Sequence, residues 1–501
     1  MTPKKLIAIL VTTALFPFLF YDYGIGLNLL VFNLLLITGL TYLGKLKLND
    51  IQSKIVLVGT ILSAIFVVYN GSDYAIAINI ISLFLLAGTT LFPIGRNLFY
   101  TSFISIINFF YSQSDFLNLI KELTKNRRGA LKFFRAFKIV VIPIVIVIVF
   151  IMIYRAANPV FEGMMKSVFD AIEQFFNWIF EYIELALIIT IIFGFLLSNY
   201  FYLGKANSTI TTLENGSSYN LKRIRKSGLN KFKATSLISE YKSAIILFSL
   251  LNALILLINV IDVWWVWFNF SWDGEYLKQF VHEGTYLLIL SIIISLVLSI
   301  YYFRGNINFL ENNSLLKKLA FIWLVQNAIL TISVGIRNYW YINYFSLAYL
   351  RIGVIFFLIL TLFSIYTVIV KIKDQKSTYF LFSKNSLAAY TILVVMAFFN
   401  WDVIIAKYNF KHSDTAFVHF NFMVQLSNKA LPYLDKTKTE LATIDSHQMA
   451  DFPFRDQYMK SDIYFDQIQN RKKLFIENWP IKHWQEWNWA DERSYRKLLS
   501  K

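Results

Sequence analysis

The chain has no cysteine among its 501 residues. Disulfide bonds, thiol catalysis and cysteine metal sites are therefore excluded, while an oxidising compartment is not. Histidine is nearly as scarce, and its five residues are too scattered to form a metal site. The motifs of soluble enzymes are missing too: there is no Walker loop, no G-x-S-x-G and no H-E-x-x-H. Neither a metal nor a cofactor is expected. Charge is also short. Only 16% of the residues are charged, against about a quarter in soluble globular chains.

What the chain has is apolar surface. It is 57% hydrophobic and 18% aromatic, and its mean hydropathy is positive. The apolar residues come in blocks of 16 to 26. At about 1.5 Å per residue such a block crosses a ~30 Å hydrocarbon core as a helix. The ten-residue alternation of barrel strands is absent, so helix is the spanning form. An all-α, polytopic membrane protein follows. Eleven spans are expected, at about 6–21, 25–43, 55–70, 74–93, 137–154, 184–203, 243–267, 284–303, 317–336, 345–370 and 386–405. The first follows Lys4 and Lys5 as a signal peptide would. It lacks a small-x-small cleavage pattern and reads as an uncleaved span.

The net charge of +17 lies beside the apolar blocks, which assigns it to topology and the membrane surface rather than to nucleic acid. With the N-terminus inside, the inner segments hold 28 Lys and Arg and the outer loops four: Arg155, Lys166, Lys278 and Arg337. That bias alternates at every crossing and sets the orientation, with the C-terminal tail outside. The expected organisation is a four-helix segment (1–93), a basic cytoplasmic loop (94–136), a seven-helix core (137–405) and an extracytoplasmic tail (406–501). Within the basic loop, 97–111 is short for a span and reads as an interfacial helix on the inner face. An outer amphipathic helix over 159–183 carries an acidic stripe, with Glu162, Asp170, Glu173 and Glu181 among its members. The basic inner loop 204–242 is expected to meet anionic headgroups or a cytoplasmic partner. In the tail, His412–Leu434 and Asp451–Asn478 read as helical, with loop around Lys436–His447. Trp479, Trp484, Trp487 and Trp489 suit a membrane interface or a packing site on the bundle.

The stretch Val260–Tyr286 joins two long apolar segments and is dense in tryptophan. Asp262 lies 19 residues beyond the inner start of its span, Glu283 21 before Arg304, Arg351 20 before Lys371, and Asp402 18 beyond Lys384. All four come out ~27–31 Å from the inner face, at one level near the outer interface. His282, Asn400 and Arg337 belong to the same layer. Ionisable groups at such depth usually face the bundle and have partners, and the most economical pairing is Glu283 with Arg351. Two readings stand: interfacial charges that clamp helix ends or snorkel to water, and an outward-facing pocket.

The same residues carry a resemblance. Y-L-K-Q-F-V-H-E-G-T-Y-L-L at Tyr276–Leu288 is similar to Y-x-x-Y-x-R-E-G-F-x-x-L, and F-S-L-A-Y-L-R at Phe345–Arg351 to Y-G-x-T-x-x-R. N-W-D-V-I-I-A-K-Y-N at Asn400–Asn409 and Q-L-S-N-K-A-L-P at Gln425–Pro432 resemble N-x-D-x-x-I-x-x-Y-N and L-S-x-D-A-x-P. These patterns belong to an uncharacterised family of polytopic bacterial membrane proteins, the domain of unknown function numbered four-one-seven-three and its relative four-one-five-three. The match covers roughly 236–434. It departs at His282, Thr285 and Asn428-Lys429. The resemblance implies a bacterial inner-membrane location and gives weight to Glu283, Arg351 and Asp402, and it implies no reaction. Three functions compete: a sensing or scaffold protein with an envelope or cytoplasmic partner, a secondary transporter using Glu283 or Asp262, and a membrane enzyme of the outer face. Against transport, such sites lie at the bilayer midplane on broken helices.

Overall fold

The computed structural model describes residues 2–91, 97–123, 184–204, 208–223, 231–270, 274–452 and 458–500, with isolated positions between 143 and 174. For residues 2, 121–123, 208–210, 231–236 and 274–283 the backbone alone is described. The expected span at 137–154 and the acidic amphipathic helix over 159–183 lie outside the described residues.

The described chain is helical throughout. The bundle consists of α1 (Thr2–Phe20), α2 (Leu27–Tyr42), α3 (Ile51–Asn70), α4 (Asp73–Thr89), α5 (Leu98–Leu123), α6 (Leu185–Leu203), a short α7 (Ser208–Gly216), α8 (Lys231–Asp262), α9 (Gly274–Tyr302), α10 (Ser314–Phe345), α11 (Tyr349–Lys373) and α12 (Thr378–Ala397). The tail adds α13 (Trp401–Lys411), α14 (Phe420–Val424), α15 (Leu431–Leu434), α16 (Lys438–Asp451), α17 (Ser461–Asn478) and α18 (Trp489–Leu499). Among the described residues eight helices, α1, α3, α6 and α8–α12, are long and apolar enough to cross a membrane, while α2 and α4 are apolar but shorter. The chain is a multi-pass membrane protein.

Helix starts follow local chemistry. Asp50, Ser72 and Ser377 cap α3, α4 and α12, each accepting a hydrogen bond from the backbone N–H three residues on. Gly71 ends α3 in the left-handed conformation at φ 57°, which lets the chain reverse directly into α4.

Packing divides the bundle in two. One apolar core joins α1–α6, a second joins α8–α12, and α12 contributes to both, with Tyr390, Val394 and Ala397 in the first and Leu381 in the second. In the first core Asn79 and Asn33 exchange hydrogen bonds at 3.1 and 2.9 Å, and Asn79 also donates to Ser63 Oγ and Thr60 O. Between α8 and α10, Gln326 donates to Asn252 Oδ1, and Asn252 donates to Leu319 O. Interhelical amides of this kind substitute for the water that lipid denies them.

Three expectations for the bundle change. The segment 97–111 is no separate surface helix. It opens the 26-residue α5, which lies antiparallel to α6. The polar residues that lowered its hydropathy are satisfied by neighbours: Ser105 donates to Phe84 O, Asn108 to Tyr200 O, and Gln113 to Leu196 O. The helix of the span expected at 317–336 runs on to Phe345, so Arg337 lies within α10 and not in a loop. Instead of covering 386–405, the last apolar helix starts at its Ser377 cap and stops at Ala397. Asn400 then caps a new helix, α13, and carries Asp402 with it.

Loops gather at two ends. At one, Leu221 N–H donates to Gln375 O, Ser377 N–H to Tyr219 O, and Lys45 to Gly204 O. At the other, the tail packs on the loops after α1, α3 and α10, where Leu27 N–H donates to Trp487 O, Lys429 to Gly71 O, and Phe417 N–H to Tyr344 O. The tail builds a third core from Phe420, Met423, Leu431, Tyr464, Ile468 and Leu498, which also takes in Ile352 of α11. The loop expected around Lys436–His447 is instead α16, begun by a capping box between Thr437 and Glu440.

Close approach of α12 to α3 rests on Gly59, where an added Cβ would sit 2.2 Å from Tyr390 Oη. Gly59→Ala should destabilise the purified protein by about 1–3 kcal/mol through overpacking. Gly353→Ala, a helical position with open space around it, should be neutral or slightly stabilising in the same thermal unfolding experiment.

Candidate functional site

α8 ends on Asp262 and passes directly into a π-helical turn, Val263–Phe268. The wider turn directs Val266 inward to full burial and brings Trp267 Nε1 to 2.8 Å from Ser333 Oγ on α10. Asp262 is 2% exposed and Arg337 6%. Their Oδ1 and Nη2 atoms are 2.5 Å apart, an ion pair between α8 and α10. From α9, a Cβ on Gly284 would lie 3.6 Å from Arg337 Nη1, so three helices converge on this guanidinium. The side chains of His282 and Glu283, immediately before Gly284, lie outside the described residues.

Arg351 does something else. Its guanidinium donates to the carbonyls of Phe345 and Ser346 at the end of α10 and lies 4.3 Å over the ring of Tyr341. Its own carbonyl accepts from Asn338 Nδ2. Carbonyls at a helix C-terminus carry negative partial charge and lack intrahelical donors, so an arginine there closes the turn between α10 and α11. The expected layer therefore contains a carboxylate–arginine pair, but its described members are Asp262 and Arg337.

Asp402 stands apart from both. It accepts from Tyr349 Oη at the start of α11 and from Ser427 Oγ and N–H in the tail. Asn400 accepts from Val403 N–H as the cap of α13. Asp402 thereby fastens the tail to α11.

Beside them a cleft opens between α3, α13, α15 and α18. It has about 470 Å³ of empty space including its mouth, and its wall includes Asn400, Lys407, Lys429, Tyr433, Arg493 and Lys497. Four cations line it and no carboxylate does. Lys407 and Lys497 face the Tyr433 ring at 4.6 and 4.8 Å, and Lys497 donates to its hydroxyl at 2.7 Å. Burial raises the Tyr433 phenol, but the Lys497 hydrogen bond and the charges of both lysines outweigh it, so its pKa falls below the ordinary tyrosine value. An anion, not a metal ion, fits this donor set. Reading the sequence brought out only Asn400 here. The available signal was the cationic run Arg493, Arg496, Lys497 following Trp489 on one short helix.

A family model described as "Domain of unknown function (DUF4153)" matches residues 6–437 of the chain, well beyond the stretch that carried the motif resemblance. No curated protein and no solved structure matches it.

The two polar centres predict different failures. Asp262→Leu strands a buried guanidinium and should cost about 3–5 kcal/mol, read as reduced abundance and early unfolding of the whole protein. Asp402→Ala should leave the bundle intact and speed proteolysis of the tail. Tail cleavage in Asp402→Ala at the parent's rate would show that Asp402 is no latch.

Proposed function

The chain belongs to the DUF4153 family, and from that premise we propose that it is a bacterial inner-membrane sensing or scaffold protein whose tail reads conditions at the outer face. The observation that carries this reading is the position of the tail. It docks on the first half of the bundle through Trp487 at the loop after α1 and Lys429 at Gly71. It docks on the second half through Asp402 at Tyr349 and Phe417 at Tyr344. A single folded module thus bridges two separately packed halves, and whatever shifts it biases their relative arrangement. The strongly basic opposite end suits anionic headgroups or a cytoplasmic partner. Proton or solute transport has less support, since Asp262 is already held by Arg337 beside the end occupied by the tail.

The topology is part of the proposal: eleven spans, the N-terminus inside and the tail outside. Because the chain has no native cysteine, single introduced thiols report on it directly. In intact cells a membrane-impermeant maleimide should label Ser446→Cys, and should reach Asn215→Cys only after the membrane is opened. Labelling of Asn215→Cys from outside would overturn the assignment of the N-terminus to the inside.

The function is tested by deleting the gene and following an envelope-stress reporter. Deletion should change the response, and Asp402→Ala at normal abundance should reproduce the change. An unaltered response in both strains overturns the reading. Proton-coupled uptake in proteoliposomes that disappears in Glu283→Gln would replace it with transport.

A further inference from the structure

The cleft beside Asn400 is electrostatically unfinished. Lys407 projects from α13 and Lys497 from α18, yet both close on one ring, Tyr433. Two ammonium groups held together repel, and the usual remedy is a carboxylate between them. None of the cleft's cations has one within ion-pairing distance among the described residues. The neighbouring acids are engaged elsewhere: Asp402 with Tyr349 and Ser427, Asp491 with Asn488, and Glu492 with Trp479 and Arg496. Lys429, almost fully buried, reaches Gly71 O, which carries no full charge. Arg493 lies over Trp489, and Trp489 stacks on Tyr69, so an aromatic wall closes one side.

We propose that this cleft between α13, α15 and α18 binds a phosphate-bearing anion through Lys407, Lys497 and Arg493. Lysine and arginine together supply several charge-assisted donors, and a phosphate group has oxygens enough to accept from all three. The Tyr69–Trp489 stack beside them is the aromatic surface typical of a membrane interface. The same chemistry could come from a lipid headgroup entering from the bilayer or from free phosphate. The proposal rests on the sensing role of the tail and names what it senses: the anion joins α13, which follows the bundle, to α18, which closes the tail, and so strengthens the latch.

The test uses the full-length protein in neutral detergent. Its thermal unfolding is followed against inorganic phosphate with chloride at matched ionic strength as control, and against phosphatidylglycerol with phosphatidylcholine as control. Saturable stabilisation by phosphate alone identifies a free anion, and by phosphatidylglycerol alone a lipid. Stabilisation by neither overturns the proposal. Binding should weaken about tenfold or more in Lys407→Gln/Lys497→Gln, and also in Arg493→Gln, whose exposed side chain makes no hydrogen bond that holds the tail among the described residues. Lys436→Gln, paired with Glu440 elsewhere in the tail, should bind as the parent does. Tail proteolysis without ligand separates the two ideas. If Arg493→Gln keeps a docked tail and full affinity, the anion site is wrong and the sensing module stands. If the parent tail is freely cleaved, the module itself is wrong.

Discussion

No water reaches the hydrocarbon interior of a bilayer, so a polar side chain carried inward has to find its partner on its own helix or on a neighbouring one. That constraint organises this protein. Asn33 and Asn79 answer each other across α2 and α4, Gln326 answers Asn252 across α10 and α8, and Asp262 answers Arg337. Lys371, 1% exposed, donates to Phe303 O at the end of α9. These bonds fix which helices are neighbours, because apolar surfaces in lipid have little preference of their own. They explain why the bundle has two cores linked by one helix, α12.

The tail obeys a different rule. Above the apolar helices water is available, so its core is built as in a soluble domain, with Phe420, Tyr464 and Leu498 packed together and helices begun by ordinary caps. It is tied down by polar links to both halves of the bundle. Its charge is uneven: ion pairs such as Lys472–Asp435 and Arg496–Glu492 are complete, while Lys407, Lys429, Arg493 and Lys497 crowd one cleft.

Much of the architecture was legible in the chain. The helical class, and apolar helices at ten of the eleven expected places, follow from blocks of apolar residues whose length matches a bilayer, and that signal does not depend on tertiary contacts. Boundaries were less legible. Arg337 looked like a loop residue because charge breaks a hydropathy run, yet its partner Asp262 makes burial tolerable. The segment 97–111 looked short for a span, because the acceptors that let Ser105, Asn108 and Gln113 pack into the bundle lie on α4 and α6. The start of α16 looked like loop, although Thr437-Lys438-Thr439-Glu440 is a local capping box.

The polar layer shows the division most clearly. Spacing along the chain placed Asp262 and Arg351 near one end of the bundle, because rise per residue converts residue count into depth. Depth says nothing of azimuth. Which faces of α8, α10 and α11 meet is decided by packing, and it sent Arg351 to helix-end carbonyls, Arg337 to Asp262, and Asp402 to the tail. By itself the sequence determined the apolar solvent and the helical form, both of which sum over many residues. Only the tertiary structure decided the partners and the basic cleft, because they depend on single contacts between segments as distant as residues 71 and 429.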